Sequence, residues 1–299
     1  MRFQGGTLIS DSRIKYIEVA QNNYPFTVEF EFEISFSGLL SYPTWYSILG
    51  YKISVEQSMY IAKIPTKLGM RYNVKNYSSK PEIISEDNMK TYTWKMENFQ
   101  AIDSEPLSPE PRYFFPIIFF APIEFEYDGY AGNMSTWKDY GKWLYSLEKG
   151  RDELPSKTAQ KCAQLAHGIE NDEEKVKKIY EYMQSKTRYI SIQLGIGGWQ
   201  PFPASEVDET GYGDCKALSN YTLAMLKAAG IKAYNAEIRA DRGTVSHDPS
   251  FPAMVYANHQ ILCVPLENDT IWLECTSQNQ PFGFMGSGID DKNALLITE

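Results

Sequence analysis

The sequence predicts an α+β protein, with a β-rich N-terminal half followed by a half that contains both helices and strands. Apolar and polar residues alternate over residues 26–37, which is the period of a strand. Apolar residues recur at helical spacing over 137–147 and 218–226, and two β-rich runs at 259–264 and 271–276 flank a polar turn. A chain of 299 residues with 43% hydrophobic and 14% aromatic residues is long enough for about two domains with real cores.

The N-terminal half, residues 1–130, is predicted to form an antiparallel β-sandwich. Its clearest strand is 26–37, in which one face is apolar and the other carries Thr, Glu and Ser; the apolar face consists of Phe26, Val28, Phe30, Phe32, Ile34 and Phe36. Further strands are predicted at 53–55, 60–64, 70–74 and 91–96, with turn residues between them. This spacing is typical of a sandwich. Aromatic residues such as Trp45 and Trp94 fit the core of such a sandwich better than a carbohydrate or peptide groove.

A connecting segment leads from this half to the next. The proline-rich stretch 104–116 is a poor helix or central strand and is expected to cross the surface. A helix is predicted in the connection 131–155, capped by Ser135 and ended by Gly150, and its aromatic residues favour packing between domains. Helices near 156–166 and 172–185, a strand at 188–194 and a glycine-rich loop follow.

Cys215 stands at the start of a predicted helix. Asp214 is a suitable N-cap residue and Gly230 ends the helix. The free N–H groups and the dipole at a helix N-terminus favour a thiolate over a thiol, which is the condition for a nucleophilic cysteine. The alternative is a buried cysteine that serves only as a small apolar residue.

His259 and Glu274 lie on the two strands of the predicted hairpin. If the loop between the strands has an even number of residues, both side chains project from the same face. A cysteine nucleophile, a histidine base and a carboxylate that orients the histidine are the groups that acyl transfer needs. A hydrogen-bonded core histidine and a surface glutamate are the structural alternatives.

The other polar candidates are weaker. The backbone N–H of Cys215 is the natural donor to an oxyanion, and Gln193, Trp199, Gln200 and Asp214 are candidates for contacting substrate or for a second donor. The same hairpin register places Cys263 and Cys275 on opposite faces, so a disulfide between them is not expected. Without a CxxC pair or a histidine cluster, no metal site or cofactor is predicted.

The net charge excludes some classes of partner. It is −9, with acidic and basic residues interspersed, which argues against nucleic acid and against a basic membrane-binding surface. No transmembrane stretch and no signal peptide are visible in the sequence.

Three separated blocks resemble the transglutaminase-like superfamily, in its bacterial branch with papain-like Cys-His-acid chemistry. They are RYISIQLGIGGWQPFPASEV, GYGDCKALSNY and NHQILCVPLENDTIWLECTSQ, and the likeness covers residues 156–299. It implies a transglutaminase-like, cysteine-protease-type core in which Cys215 is the nucleophile, His259 the base and Glu274 the third member. Many members carry aspartate in a W-L-D-x-T context where this chain has Glu274, whose side chain is one methylene longer.

The N-terminal half resembles the uncharacterised β domain that precedes such cores in exported bacterial proteins. The stretches YPFTVEFEFE, GLLSYPTW and TYTWKMENFQAIDSEP carry this likeness. It implies a periplasmic or extracellular protein, and a β domain that begins upstream of Met1. The expected function is acyl transfer on a peptide or protein carboxamide through a thioester, as hydrolysis or as transamidation. The alternative is a non-catalytic module that keeps this fold and binds a protein or a glycan.

Overall fold

The computed structural model describes residues 7–10, 16–33, 35, 38–241, 243 and 245–299. The strands of the N-terminal half are β1 (Thr7–Ser10), β2 (Trp45–Tyr46), β3 (Val55–Pro65), β4 (Met70–Lys75), β5 (Glu82–Glu86), β6 (Met89–Phe99), β7 (Ile117–Pro122), β8 (Glu124–Tyr127) and β9 (Tyr130–Asn133). Two antiparallel sheets, ordered β2-β7-β4 and β3-β6-β5, share one core cluster. The buried members of the cluster include Trp45, Ile64, Trp94, Ile118 and Phe120.

The aromatic residues of this half build its core. The indole of Trp94, only 1% exposed, lies edge-on to the ring of Phe120 at 5.1 Å between centroids. Trp45 is 5% exposed in the same cluster. The burial of both tryptophans therefore agrees with the prediction that they belong to the core and do not line a ligand groove.

Two strands of this half differ from the sequence prediction. Residues 26–33 form no strand, and Phe30 and Phe32 are 75% and 72% exposed; Ile34, Phe36 and Ser37 of the predicted strand lie outside the described residues. Alternation makes a segment able to cover a sheet, but a strand also needs a hydrogen-bonding neighbour, and the two sheets are formed without these residues. Conversely, the sequence predicts an edge-like strand within 120–133, whereas 117–122 form the central strand β7, whose six residues are all buried and whose apolar run shows no alternation.

The C-terminal half contains the helices α1 (Trp137–Glu148), α2 (Ser156–Ala166), α3 (Asp172–Lys186), α4 (Ala204–Thr210) and α5 (Cys215–Ala228). Its strands are β10 (Arg188–Tyr189), β11 (Ser191–Gln193), β12 (Tyr212–Gly213), β13 (Tyr234–Ile238), β14 (His259–Pro265), β15 (Thr270–Leu273) and β16 (Leu295–Leu296). An antiparallel sheet is ordered β15-β14-β13-β16, and α5 packs on one face of it. Leu218 and Met225 of the helix share a buried cluster there with Leu262 and Val264 of the sheet.

Helix α1 joins the two halves. Its N-cap is Thr136 rather than the predicted Ser135, because the Thr136 hydroxyl accepts a hydrogen bond from the Asp139 N–H at 3.1 Å. Tyr140, Trp143 and Leu144 lie in a buried cluster with residues of both halves, among them Phe119, Phe125, Phe251 and Tyr256. The predicted division into 1–130, 131–155 and 156–299 is thus crossed by a shared apolar cluster.

Polar contacts cross the same boundary. The Arg71 guanidinium donates to the carbonyl of Pro252 at 2.7 Å, and the Asn73 amide donates to the Asp248 carboxylate at 2.9 Å. Lys75 forms an ion pair with Asp248 at 3.2 Å.

Within the described ranges, no helix combines the length and the apolar character needed to cross a bilayer.

Candidate active site

Cys215 is the first residue of α5, as the sequence predicts. The Asp214 carboxylate caps the helix by accepting from the Ala217 N–H at 3.0 Å, and it also pairs with the Lys216 ammonium. Gly213 precedes the cap because a Cβ at this position would lie 2.7 Å from the Ala217 Cβ. Cys215 is held at the helix N-terminus with 6% of its surface exposed.

The hairpin brings His259 to Glu274. Leu262 pairs with Leu273 and Cys263 with Trp272, which is the register that the even loop predicts. His259 Nε2 lies 2.7 Å from Glu274 Oε2. The other oxygen of Glu274 accepts from the N–H and the hydroxyl of Thr276, at 2.9 and 2.6 Å. The glutamate is therefore long enough to reach the imidazole while both of its oxygens are bonded.

The charges of this pair reinforce each other. Burial by itself lowers the pKa of His259, but hydrogen bonds and charge interactions with Cys215 and Glu274 outweigh it and raise the value from 6.5 to about 10. Burial opposes ionisation of Glu274, yet the bonds from His259 and Thr276 lower its pKa below 4.5. An ionised carboxylate can only accept, so Nε2–H of the imidazole is the donor to Glu274. Because Cys215 contributes to this shift, it lies beside the same ring.

Three of the four remaining candidate residues have side-chain partners of their own. Gln193 ends β11 and is half-buried, and the Trp199 indole packs against Trp143 of α1 at 6.0 Å between centroids. Gln200 Oε1 accepts from the Arg151 guanidinium at 2.6 Å. Asp214 is 5% exposed and is occupied by its cap and ion pair. Among the described residues, no hydrogen bond or ring contact is found for the side chain of Gln193.

Two carboxyl groups that lie near Gln260, those of Glu237 and Glu148, were not predicted. Glu237 of β13 lies directly opposite Gln260, whose amide donates to Glu148 of α1 at 3.1 Å. Burial raises the pKa of Glu237 from 4.5 to about 8, and burial also raises the pKa of Glu148 to about 7. A signal for Glu148 exists in the sequence, since it follows the core positions 140 and 144 at intervals of four residues.

The cysteines remain separate. Cys162, Cys215, Cys263 and Cys275 are all free and buried, and Cys275 lies in the cluster that faces α5. Cys263 and Cys275, for which no disulfide is expected, are both free thiols in the structure. Among the side chains that the structure describes, no group of three or more His, Cys, Asp or Glu residues is arranged to hold a metal ion.

Two family models match this chain. Residues 159–279 match the model of the transglutaminase-like superfamily, and residues 3–103 match DUF3857, a domain of unknown function with solved structure. No curated protein matches the sequence.

Two solved structures are similar. One is named a "putative protease" from Parabacteroides distasonis ATCC 8503, with 17% identity and a TM-score of 0.55 over 79% of this chain. The chain spans only 43% of that protein's length. The other is named a "putative cysteine protease" from Cytophaga hutchinsonii, with 14% identity, a TM-score of 0.32, and coverage of 87% of this chain and 77% of that one. The chain carries a transglutaminase-like core preceded by a DUF3857 domain.

Proposed function

We propose that this protein is a cysteine-dependent acyl-transfer enzyme that acts on a peptide or protein carboxamide through a thioester. The observation that carries the proposal is the 2.7 Å contact between His259 and Glu274, with Cys215 at a helix N-terminus beside the same imidazole. A core histidine without a catalytic role has no need of a cysteine on one side and an ionised carboxylate on the other.

The proton moves from sulfur to nitrogen in the first step. Because the pKa of His259 is raised to about 10, the imidazole accepts the Cys215 proton and keeps it at neutral pH. The thiolate sulfur then attacks the carbonyl carbon, and the backbone N–H of Cys215 supports the oxyanion. As the C–N bond breaks, imidazolium returns the proton to the leaving amine, which leaves a thioester on Cys215.

A second nucleophile releases the acyl group. Water gives a carboxylic acid, which makes the enzyme a peptidase or amidase, and a primary amine gives a new amide, which makes it a transglutaminase. In both cases His259 accepts the proton of the incoming nucleophile and Cys215 leaves as the thiolate. We propose water as the acyl acceptor, and therefore hydrolysis, because the solved structure with a TM-score of 0.55 is named as a protease.

Alkylation by iodoacetamide across pH 5–9 tests the proposal, with each cysteine followed by mass spectrometry. We expect Cys215 to react well below pH ~8.5, at which an ordinary thiol is half ionised. His259→Ala should slow this reaction, whereas the matched control His167→Ala, at the end of α2, should not. Reactivity of Cys215 equal to that of an ordinary thiol would support the non-catalytic binding module instead.

The acyl acceptor is tested separately. We expect the wild type, but not Cys215→Ala, to release new N-termini from an unfolded protein substrate. Incorporation of a fluorescent primary amine, without new N-termini, would identify a transglutaminase and overturn the choice of hydrolysis.

A further inference from the structure

The N-terminal strand β1 lies on a strand that leads into the candidate active site. It pairs in parallel with β11, and the register places Thr7 opposite Ser191, Ile9 opposite Ile192 and Ser10 opposite Gln193. Among the described strands, β1 is the one hydrogen-bonded neighbour of β11. Residues from the far end of the sequence thus lie against the segment that contains Gln193.

This segment is close to the nucleophile. Strand β10 pairs in parallel with β12, so that Tyr189 lies opposite Gly213, and the Ile190 N–H donates to the Gly213 carbonyl at 3.0 Å. Cys215 follows Gly213 by two residues, and β11 begins two residues, or about 7 Å, after Tyr189. Burial, followed by the charge of Cys215, raises the pKa of Tyr189 to about 12.

β1 contributes little to the apolar core. The side chains of Leu8 and Ile9 are 53% and 48% exposed, and neither belongs to a buried cluster. Backbone hydrogen bonds therefore account for most of its attachment, and a two-stranded pairing of this length is marginal by itself. Another extended chain could form the same backbone bonds.

We propose that the edge of β11 is the docking edge for an extended peptide substrate, and that residues 7–10 occupy this edge in the free protein. That the docked peptide is a substrate rests on the proposed function. A peptide adds to β11 as β1 does, by main-chain hydrogen bonds with apolar side chains at the positions of Leu8 and Ile9. β1 is displaced when it binds, so the segment acts as an internal competitor.

The first experiment weakens β1. In Leu8→Pro/Ile9→Pro, two consecutive N–H groups are lost in the middle of β1, where the register shifts between Thr7 and Ile9, so neither position can donate to β11. The matched control is Val19→Pro/Ala20→Pro, in an exposed segment that forms no strand. Both are made with Cys215→Ala, so that nothing is cleaved.

The probe is a fluorescein-labelled peptide with the sequence of residues 5–12, GGTLISDS. By fluorescence anisotropy, we expect it to bind the β1 variant at least tenfold more tightly than the control, while the same peptide with Pro-Pro in place of Leu-Ile does not bind. Equal binding of the probe to a folded β1 variant and to the control would overturn the proposal.

The second experiment fixes β1 in place, and it decides the question if the proline variant does not fold. Ile9→Cys/Ile192→Cys joins the registered pair by a disulfide, again with Cys215→Ala. We expect the oxidised protein not to bind the probe and reduction to restore binding. Equal binding by both forms would overturn the docking edge.

The outcome is independent of the enzymatic proposal. Probe binding is measured without catalysis, so it can succeed when no acyl transfer is found. Conversely, rapid alkylation of Cys215 in the wild type together with failure of both binding experiments leaves the proposed function standing and removes only the docking edge.

Discussion

At the scale of single residues, the carboxylate of Glu274 is the group on which the candidate site depends most. It holds the imidazole of His259 by one oxygen and is itself held by Thr276 through the other. The hydroxyl of Tyr180 also donates to the Glu274 carbonyl at 2.7 Å. These bonds set the position of the imidazole before any substrate arrives.

We expect Glu274→Gln to lower kcat by roughly ten- to ten-thousand-fold, the span seen when the third member of a triad is neutralised. The amide retains the size of the side chain but not the charge that stabilises imidazolium. Glu267→Gln, in the exposed turn of the same hairpin, is the control. Peptide hydrolysis and circular dichroism provide the measurement, and an unchanged kcat in a folded variant would mean that another group orients His259. Glu274→Asp should keep partial activity, because its reach is shorter by one methylene.

Glu237 gives a prediction on pH. Its pKa is about 8 in the folded protein against an ordinary 4.5, so the folded state keeps a proton that the unfolded chain loses. Stability contributed by this group is therefore lost as pH rises from about 4.5 to 8. The side chain of Glu237→Gln cannot lose a proton. Between pH 5 and pH 8, we therefore expect the free energy of unfolding to fall by about 4 kcal/mol less in this variant than in the wild type.

Urea titrations of the wild type, Glu237→Gln and the exposed control Glu82→Gln at the two pH values measure this difference. The control should follow the wild type. If the free energy of unfolding falls equally in all three proteins from pH 5 to pH 8, Glu237 is ionised in the folded state.

At the scale of elements, α5 is the platform of the site. It starts with Cys215, and most of its side chains are buried, including Leu218, Tyr221, Met225 and Leu226 at 0% exposure. The same helix contacts α2, α3, α4 and the sheet strands β13 and β14. The position of the sulfur relative to His259 therefore depends on the packing of this one helix.

We expect Leu218→Ala to destabilise the protein by about 2–5 kcal/mol, because it removes a buried side chain at the contact between α5 and β14 and leaves a cavity. Lys227→Ala, which breaks an exposed ion pair with Asp152 near the end of the same helix, should cost about 1 kcal/mol or less. Urea unfolding at constant pH compares the two. Equal effects would indicate that the site of Leu218 collapses around the smaller side chain.

At the scale of the whole molecule, the two halves are joined by an apolar cluster and by polar contacts. Phe119 and Phe125 pack with α1 and with Phe251 and Tyr256 of the C-terminal half. Asp248 is bonded to Asn73 and Lys75 across the boundary. The proline-rich loop, in contrast, is exposed throughout 101–109.

We expect limited proteolysis to cut first within the proline-rich stretch, at 104–109, and not at 129–133, where Tyr130–Asn133 form strand β9. The two fragments should then co-elute in gel filtration and unfold in one thermal transition, because the cluster around α1 holds them together. Separation into two fragments that unfold independently would show that the halves are autonomous domains.

The sequence alone determined those features of the site that depend on local periodicity and local chemistry. Helix signals placed Cys215 at the start of α5, and the parity of the hairpin placed His259 and Glu274 on one face, because both rules operate over a few residues. Tertiary structure decided where long-range partners were needed. The alternation at 26–33 did not become a strand, β7 became the centre of a sheet, Glu148 and Glu237 met inside the fold, and β1 reached β11, because burial and strand pairing are settled by neighbours that are distant in the chain.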